Sequence, residues 1–350
     1  MAQAVRDIRR RIKAIRNTQQ ITRAMQMVAA AKLRKAQELA LSARTYTAKL
    51  SEVLERLTED GAHLGHPLLT PRPVRRVTLV VVTSDRGLAG SYNTNLLRRV
   101  ETVLAALRQR PGSPGADLVL IGRKGRDYFR RRSVPVLRAD IGVADEELSE
   151  LARKIGGELV RSFNRGLTDE VIVIYSRFVS VLQQRPDERR LLPVARPERV
   201  TSLREGPGPG TSAGGTGADG EDLAAADGTI LGRPEPAETA APGEGAGLED
   251  VRALAEAAEE DRDLNYIYQP EPRTVYSLLL PKFVTNQLFQ AFLEARASEQ
   301  AARMTAMHAA TDNAQEMIEE LTLTMNRARQ ASITQEMMEL IGGADALRRG

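Results

Sequence analysis

Residues 1–60 read MAQAVRDIRRRIKAIRNTQQITRAMQMVAAAKLRKAQELALSARTYTAKLSEVLERLTED, sixty positions without a glycine or a proline. Those two residues are the ones that end helices, so the stretch predicts one unbroken helix of about 90 Å at 1.5 Å per residue. Counting a and d positions from Val5 gives Val5, Ile8, Ile12, Ile15, Gln19, Thr22, Gln26, Ala29, Leu33 and Ala36, then Leu50, Leu54 and Leu57. This is the 3,4 spacing of a coiled-coil seam. The centre of the seam is polar, and its apolar stripe drifts, as expected where part of a helix face meets a third surface.

Residues 282–341 also lack glycine and proline, and Met304, Met307, Thr311, Ala314, Ile318, Leu321, Met325 and Ala328 repeat the spacing. A helix longer than a domain must protrude, and a folded middle returns the chain to its origin, so the two predict an antiparallel pair. Charge supports the pairing. Residues 1–35 hold ten Lys or Arg and one acid, Asp7, whereas 282–341 hold five basic and eight acidic residues. All nine methionines lie in these terminal segments, and there is no tryptophan; adaptable side chains line the rods.

Between the rods the periodicity changes. The β-branched run R-R-V-T-L-V-V-V-T at 75–83 predicts a buried strand of a parallel sheet. Helix 94–110, strand 117–121, helix 124–131, strand 134–137, helix 145–163 and strand 170–175 leading into 178–182 follow. The alternation argues a small Rossmann-like α/β domain with a largely parallel sheet, so the fold class is α/β plus a long antiparallel coiled coil. Residues 200–262 then hold 12 of the 27 glycines, with 14 acidic against 4 basic residues. That composition predicts a largely flexible insertion, with a short acidic helix at 248–262 and order returning at 264–268. The organisation is therefore a first long helix at 1–60, the α/β domain at 74–199, the insertion at 200–262, a return at 263–281 and a second long helix at 282–341.

Most catalytic chemistry is disfavoured. Cysteine is absent, which removes disulfides, thiolate metal sites and cysteine nucleophiles. No apolar run reaches the roughly 20 residues of a membrane span, and the basic start reads as mature helix, without the apolar core of a signal peptide. Ser84-Asp85-Arg86-Gly87-Leu88-Ala89-Gly90-Ser91 follows a strand and precedes a helix, a setting where backbone N–H groups hold phosphate. It lacks the third glycine of the dinucleotide fingerprint and the Gly-Lys pair of the P-loop, so a structural turn is expected; Gly122-Arg123-Lys124-Gly125 reads the same way. His63 and His66 have no further ligand residues beside them, and His308 lies on a rod. No catalytic residues, cofactor or metal are expected. The arginines of the start are spread around the helix with no aromatic residues interleaved for base stacking, which favours a protein partner over nucleic acid.

The opening I-R-R-R-I-K-A-I-R-N-T-Q-Q-I-T-R-A-M-Q-M-V-A-A-A-K-L-R-K-A-Q at 8–37 resembles the start of the gamma-subunit family of the F-type ATP synthases. S-E-Q-A-A-R-M-T-A-M-H-A-A-T-D-N-A at 298–314 and N-R-A-R-Q-A-S-I-T-Q-E at 326–336 resemble its closing signature, and T-S-D-R-G-L-A-G at 83–90 also fits. The resemblance implies a non-catalytic rotor shaft inside a ring of alpha and beta subunits, with the α/β domain below, near the epsilon subunit and the membrane ring of c subunits. It implies a place on the cytoplasmic face of a bacterial plasma membrane. Met25, Arg329, Gln330, Thr334 and Glu336 would meet the catch loops of the ring, and Lys32, Arg34 and Lys35 acidic loops of the beta subunits. Met337, Met338 and Ile341 would form an apolar tip turning in a sleeve, and Tyr266 and Tyr268 would lie in the foot near the rotor ring. Ala89 stands where some relatives carry cysteine. The insertion stands where chloroplast relatives carry a regulatory segment, but without cysteine it cannot be a dithiol switch and would act electrostatically. A static coiled-coil scaffold and a nucleotide-binding α/β enzyme are the alternatives.

Overall fold

A computed structural model describes residues 2–59, 65–194 and 271–349. The acidic insertion at 200–262 and the expected foot residues Tyr266 and Tyr268 lie outside the described residues.

Two helices dominate, α1 (Ala2–Glu59, 58 residues) and the last helix of the chain (Pro272–Arg349, 78 residues). They run antiparallel. Thr58 Oγ1 donates to Tyr276 Oη at 3.4 Å, Arg44 meets Glu294 at 3.3 Å, the Thr22 and Thr311 hydroxyls lie 2.8 Å apart, and Gln19 Nε2 donates to Gln315 Oε1 at 2.9 Å. On α1 the covered positions follow the seam expected from the sequence, with Ile12, Thr22, Ala29, Leu33, Leu50, Leu54 and Leu57 buried. Ala40, Ala43 and Thr47 are covered between Ala36 and Leu50 and keep the 3,4 order unbroken; small residues mark no face in a sequence, so the seam was invisible there.

The last helix begins ten residues before Lys282 and continues through Pro281. Proline removes one ladder hydrogen bond, but Tyr276 and Leu280 are each only 1 % exposed, and their burial holds the extra turns in place. Pro272 sits at the first helical position, where its missing N–H costs nothing.

The middle folds as β1 (Arg76–Val82), α2 (Tyr92–Gln109), β2 (Gly115–Ile121), α3 (Arg123–Phe129), β3 (Val136–Asp140), α4 (Leu148–Asn164), β4 (Glu170–Phe178) and β5 (Gln184–Leu192). The last helix is therefore α5. Strand order is β3-β2-β1-β4-β5, with all pairs parallel except the β4–β5 hairpin. Burial runs unbroken along β1 from Val77 to Val82 and along β4 from Glu170 to Ser176, the pattern of strands covered on both faces. Leu79, Val81, Leu96, Val100, Leu118 and Phe129 form the core between the sheet and α2 and α3. Strand β5 escapes sequence reading. Its residues 184–190, Q-R-P-D-E-R-R, are mostly charged and include Pro186, a composition that suits only an edge strand.

The other face of the sheet packs on α5, so that helix is enclosed from two sides over its middle. Residues 291–295 are all buried, as are Ala297, Ser298, Glu299, Ala301 and Arg303. The sheet is thus a third surface for α5, beside α1. Gly156 of α4 permits the approach, since a Cβ there would lie 2.7 Å from Thr285 Oγ1.

Candidate functional site

A doubly wound sheet has one expected ligand position, outside the carboxyl ends of its strands where the strand order reverses. That point lies at β1, whose neighbours β2 and β4 are reached in opposite directions. Here α5 lies across it. Ser298 Oγ, fully buried, donates to Ser176 O at 2.8 Å. Tyr92 Oη donates to Ala295 O at 3.2 Å, and Arg303 Nη2 donates to Gly87 O at 3.3 Å. Glu299 holds Arg303 at 2.7 Å, both side chains at 10 % exposure or less. Side chains of the long helix thus bond carbonyls at this end of the sheet, and α5 takes up space that a nucleotide would need.

The two glycine turns bond to each other. Thr83 Oγ1 donates to Ile121 O and accepts from the Gly125 N–H, both at 2.9 Å. Asp85 Oδ1 accepts from the Arg123 N–H at 2.9 Å, and the Lys124 N–H donates to Ser84 O at 3.1 Å. The N–H groups of Arg123, Lys124 and Gly125 therefore tie the second turn to the first. Gly122, at φ 94°, is needed for that approach, because a Cβ there would stand 2.2 Å from Thr83 O. His66 accepts from the Leu68 N–H at 3.3 Å, closing a short turn; His63 lies outside the described residues. His308 lies exposed, 3.5 Å from Asp312. Among the described residues there is no group of three or more potential metal ligands, and no helix is long and apolar enough to cross a membrane.

The described residues expected to meet partners lie on the rods. Ile21 and Val28 are 60 % and 57 % exposed, and with half-buried Met25 they form an i, i+4, i+7 stripe beside the seam. Lys32 and Arg34 are exposed. Lys35 is engaged by its own α/β domain. Its ammonium donates to Glu146 at 3.0 Å, and this bond holds the lysine above and the carboxyl below their ordinary pKa values. Arg329, Gln330, Thr334 and Glu336 are all exposed. Thr334 bonds back to Gln330 O at 3.0 Å, and Glu336 accepts from Ser332 at 3.3 Å.

Met25 does not join that group. The Thr22–Thr311 contact sets the register, which places Met25 about 30 Å along the axis from Arg329 at 1.5 Å per residue. The same register carries α5 roughly 18 residues, or about 27 Å, past the level reached by residue 2. On this lone stretch Ile333, Met337, Met338, Leu340 and Ile341 are between 51 % and 74 % exposed. Sequence reasoning missed the buried polar set of α5: Glu294, Ser298, Glu299 and Arg303. Their only signal was the presence of the last three in the 298–314 signature; Glu294, held by Arg44 and by Gln290 at 3.1 Å, carried none.

Comparison with known proteins gives these surfaces a family. A family model described as ATP synthase matches residues 4–347. The chain is 41 % identical over 344 residues to the ATP synthase gamma chain of Desulfitobacterium hafniense, covering 98 % of this chain and 99 % of that one. It is 40 % identical over 345 residues to the ATP synthase gamma chain of Moorella thermoacetica, with the same coverage. Among solved structures, a chain of the Euglena gracilis mitochondrial ATP synthase rotor aligns over 95 % of this chain and 100 % of its own, with a TM-score of 0.52 at 19 % identity; this likeness concerns the fold. Relatives of such identity over nearly the whole length, together with the family match, establish that this chain belongs to the ATP synthase gamma chain family.

Proposed function

We propose that this chain is the central rotor shaft of an F-type ATP synthase, coupling ion flow through the membrane sector to conformational change at catalytic sites on a surrounding ring. The observation that carries the reading is the division of α5: its middle is buried between α1 and the sheet, while its last turns project alone with apolar side chains exposed. One end of the shaft is gripped and the other is open to partners.

A rotor acts by presenting different faces to three equivalent sites. Only differential contact shifts such sites among their states, so asymmetry is the functional property. The faces of this shaft differ. One side at the α1 level carries Ile21, Met25 and Val28, and the turns below carry Lys32 and Arg34. The tip carries Arg329, Gln330, Thr334 and Glu336 for directional contacts, then Met337, Met338 and Ile341, whose apolar surface makes few directional bonds to resist turning. The chain performs no phosphoryl chemistry. Its partners are the alpha and beta subunits of the ring, the epsilon subunit and the c ring, on the cytoplasmic face of a bacterial plasma membrane.

Reconstitution with alpha and beta subunits tests this. The shaft reading expects one copy per ring and a large gain in ATP hydrolysis over the ring components alone. A scaffold would copurify without altering turnover, and a nucleotide-binding enzyme would bind ATP as a lone chain in equilibrium dialysis.

A further inference from the structure

At the amino ends of the strands, away from α5, a depression of about 590 Å³ is lined by Arg72, Arg75, Arg76, Leu167 and Asp169. The acids here are already used. Asp169 meets Arg72 at 2.7 Å and accepts from the N–H groups of Arg75 and Arg76 at 2.9 and 3.0 Å. Glu170 meets Arg110 at 2.8 Å, and Asp117 lies 3.5 Å from Arg76. Asp117, Asp169 and Glu170 are all buried, whereas Arg75, Arg76, Arg110 and Arg165 are exposed. The surface that solvent meets is therefore cationic, and its cations are all arginines.

Within this patch the turn at Gly166, φ 72°, holds Leu167 out at 60 % exposure. Guanidinium forks match phosphodiester oxygens in pairs, and an apolar side chain beside them suits the boundary between headgroups and acyl chains. A free phosphate has no use for the leucine. The patch also faces the right way. Strand β4 rises along α5 toward Ser298, and Gly156 lies beside Thr285, so the amino edge of the sheet points away from the lone tip.

We infer that the arginine-ringed Leu167 turn is a contact for anionic phospholipid headgroups, steadying the foot of the rotor over the membrane surface. This rests on the shaft reading, which puts the end opposite the tip toward the membrane.

The test uses the chain assembled with alpha and beta subunits, so that the basic start of α1 is enclosed. Flotation with vesicles of phosphatidylcholine alone is compared with equal parts phosphatidylcholine and phosphatidylglycerol. Binding is expected only to the anionic vesicles and to weaken with salt. R75E combined with R165E should reduce it by roughly tenfold or more, since each basic residue near such a surface contributes about fivefold; Leu167→Ser should reduce it about threefold by loss of its apolar anchor. ATP hydrolysis by the complexes should not change, which shows both variants folded. Equal anionic-vesicle binding by wild type and variants overturns the inference. So does a variant defect in rebinding c rings held in purely zwitterionic lipid, which would assign the patch to protein. Failure of any complex to form sinks the shaft reading instead, and flotation of the full wild-type chain against the full R75E/R165E chain, which share the basic start of α1, then decides the lipid contact.

Discussion

The lower and upper halves of the paired helices share one heptad spacing and are built from different chemistry. Below, Leu50, Leu54 and Leu57 face a helix whose residues 291–295 are buried on all sides. Above, the seam is crossed by hydroxyl and amide pairs, Thr22 with Thr311 and Gln19 with Gln315. A buried leucine contributes about 1.5–3 kcal/mol relative to exposure, a side-chain hydrogen bond only about 1 kcal/mol net. The lower half therefore holds itself together, and the upper half is a slender element that a partner can enclose. A lone helix of this length is marginal in water, so the tip gains most from a sleeve.

The comparison breaks most readily at the bottom. Phe292→Ala, at a position 1 % exposed, should cost about 3–5 kcal/mol in chemical denaturation of the full chain. Ser298→Ala leaves the Ser176 carbonyl buried without its donor and should cost about 1–3 kcal/mol by the same measurement. Asp169 adds a pH signature. Burial pushes its carboxyl up, but the N–H groups of Arg75 and Arg76 and the Arg72 guanidinium outweigh it and hold the pKa below the ordinary value. A lowered folded pKa means the stabilisation is complete above the unfolded value of about 3.9 and is lost as pH falls through the folded one. Asp169→Asn should therefore flatten the acid limb of the stability profile below about pH 4.

Higher up, the effects shrink. Thr22→Val should cost no more than about 1 kcal/mol, and adding Thr311→Val little further, because each hydroxyl also bonds a carbonyl of its own helix, Thr22 to Gln19 O and Thr311 to Met307 O. Met338→Ala, 67 % exposed, should change stability by less than about 0.5 kcal/mol. Within an assembled ring it should lower the yield of ATP per ion transported. A large stability loss at Met338 would erase the distinction between the halves.

The sequence made these halves unequally legible. The span of α1, the parallel strands and the α1 seam followed from glycine and proline spacing and from β-branched runs, whereas α5 overran its expected 282–341 at both ends, through Pro281 and past Gly342 and Gly343. Ala40, Ala43 and Thr47 stayed silent because small residues sit equally well on either face. Strand β5 stayed silent because an edge strand can leave Asp187, Glu188 and two arginines, Arg189 and Arg190, half-buried or exposed. The buried polar set of α5 was hidden for another reason: Ser298, Glu299 and Arg303 look like a solvated stripe until the sheet is placed over them. Met25 was assigned to the level of Arg329 by resemblance, and only the helix register separates the two.

Because the chain has no cysteine, a single Gln109→Cys at the exposed end of α2 gives one handle for a bead on the α/β domain. With the alpha and beta ring fixed to glass, the shaft account predicts stepwise rotation of the bead in one direction, dependent on ATP. Steady ATP turnover with the bead stationary would contradict it.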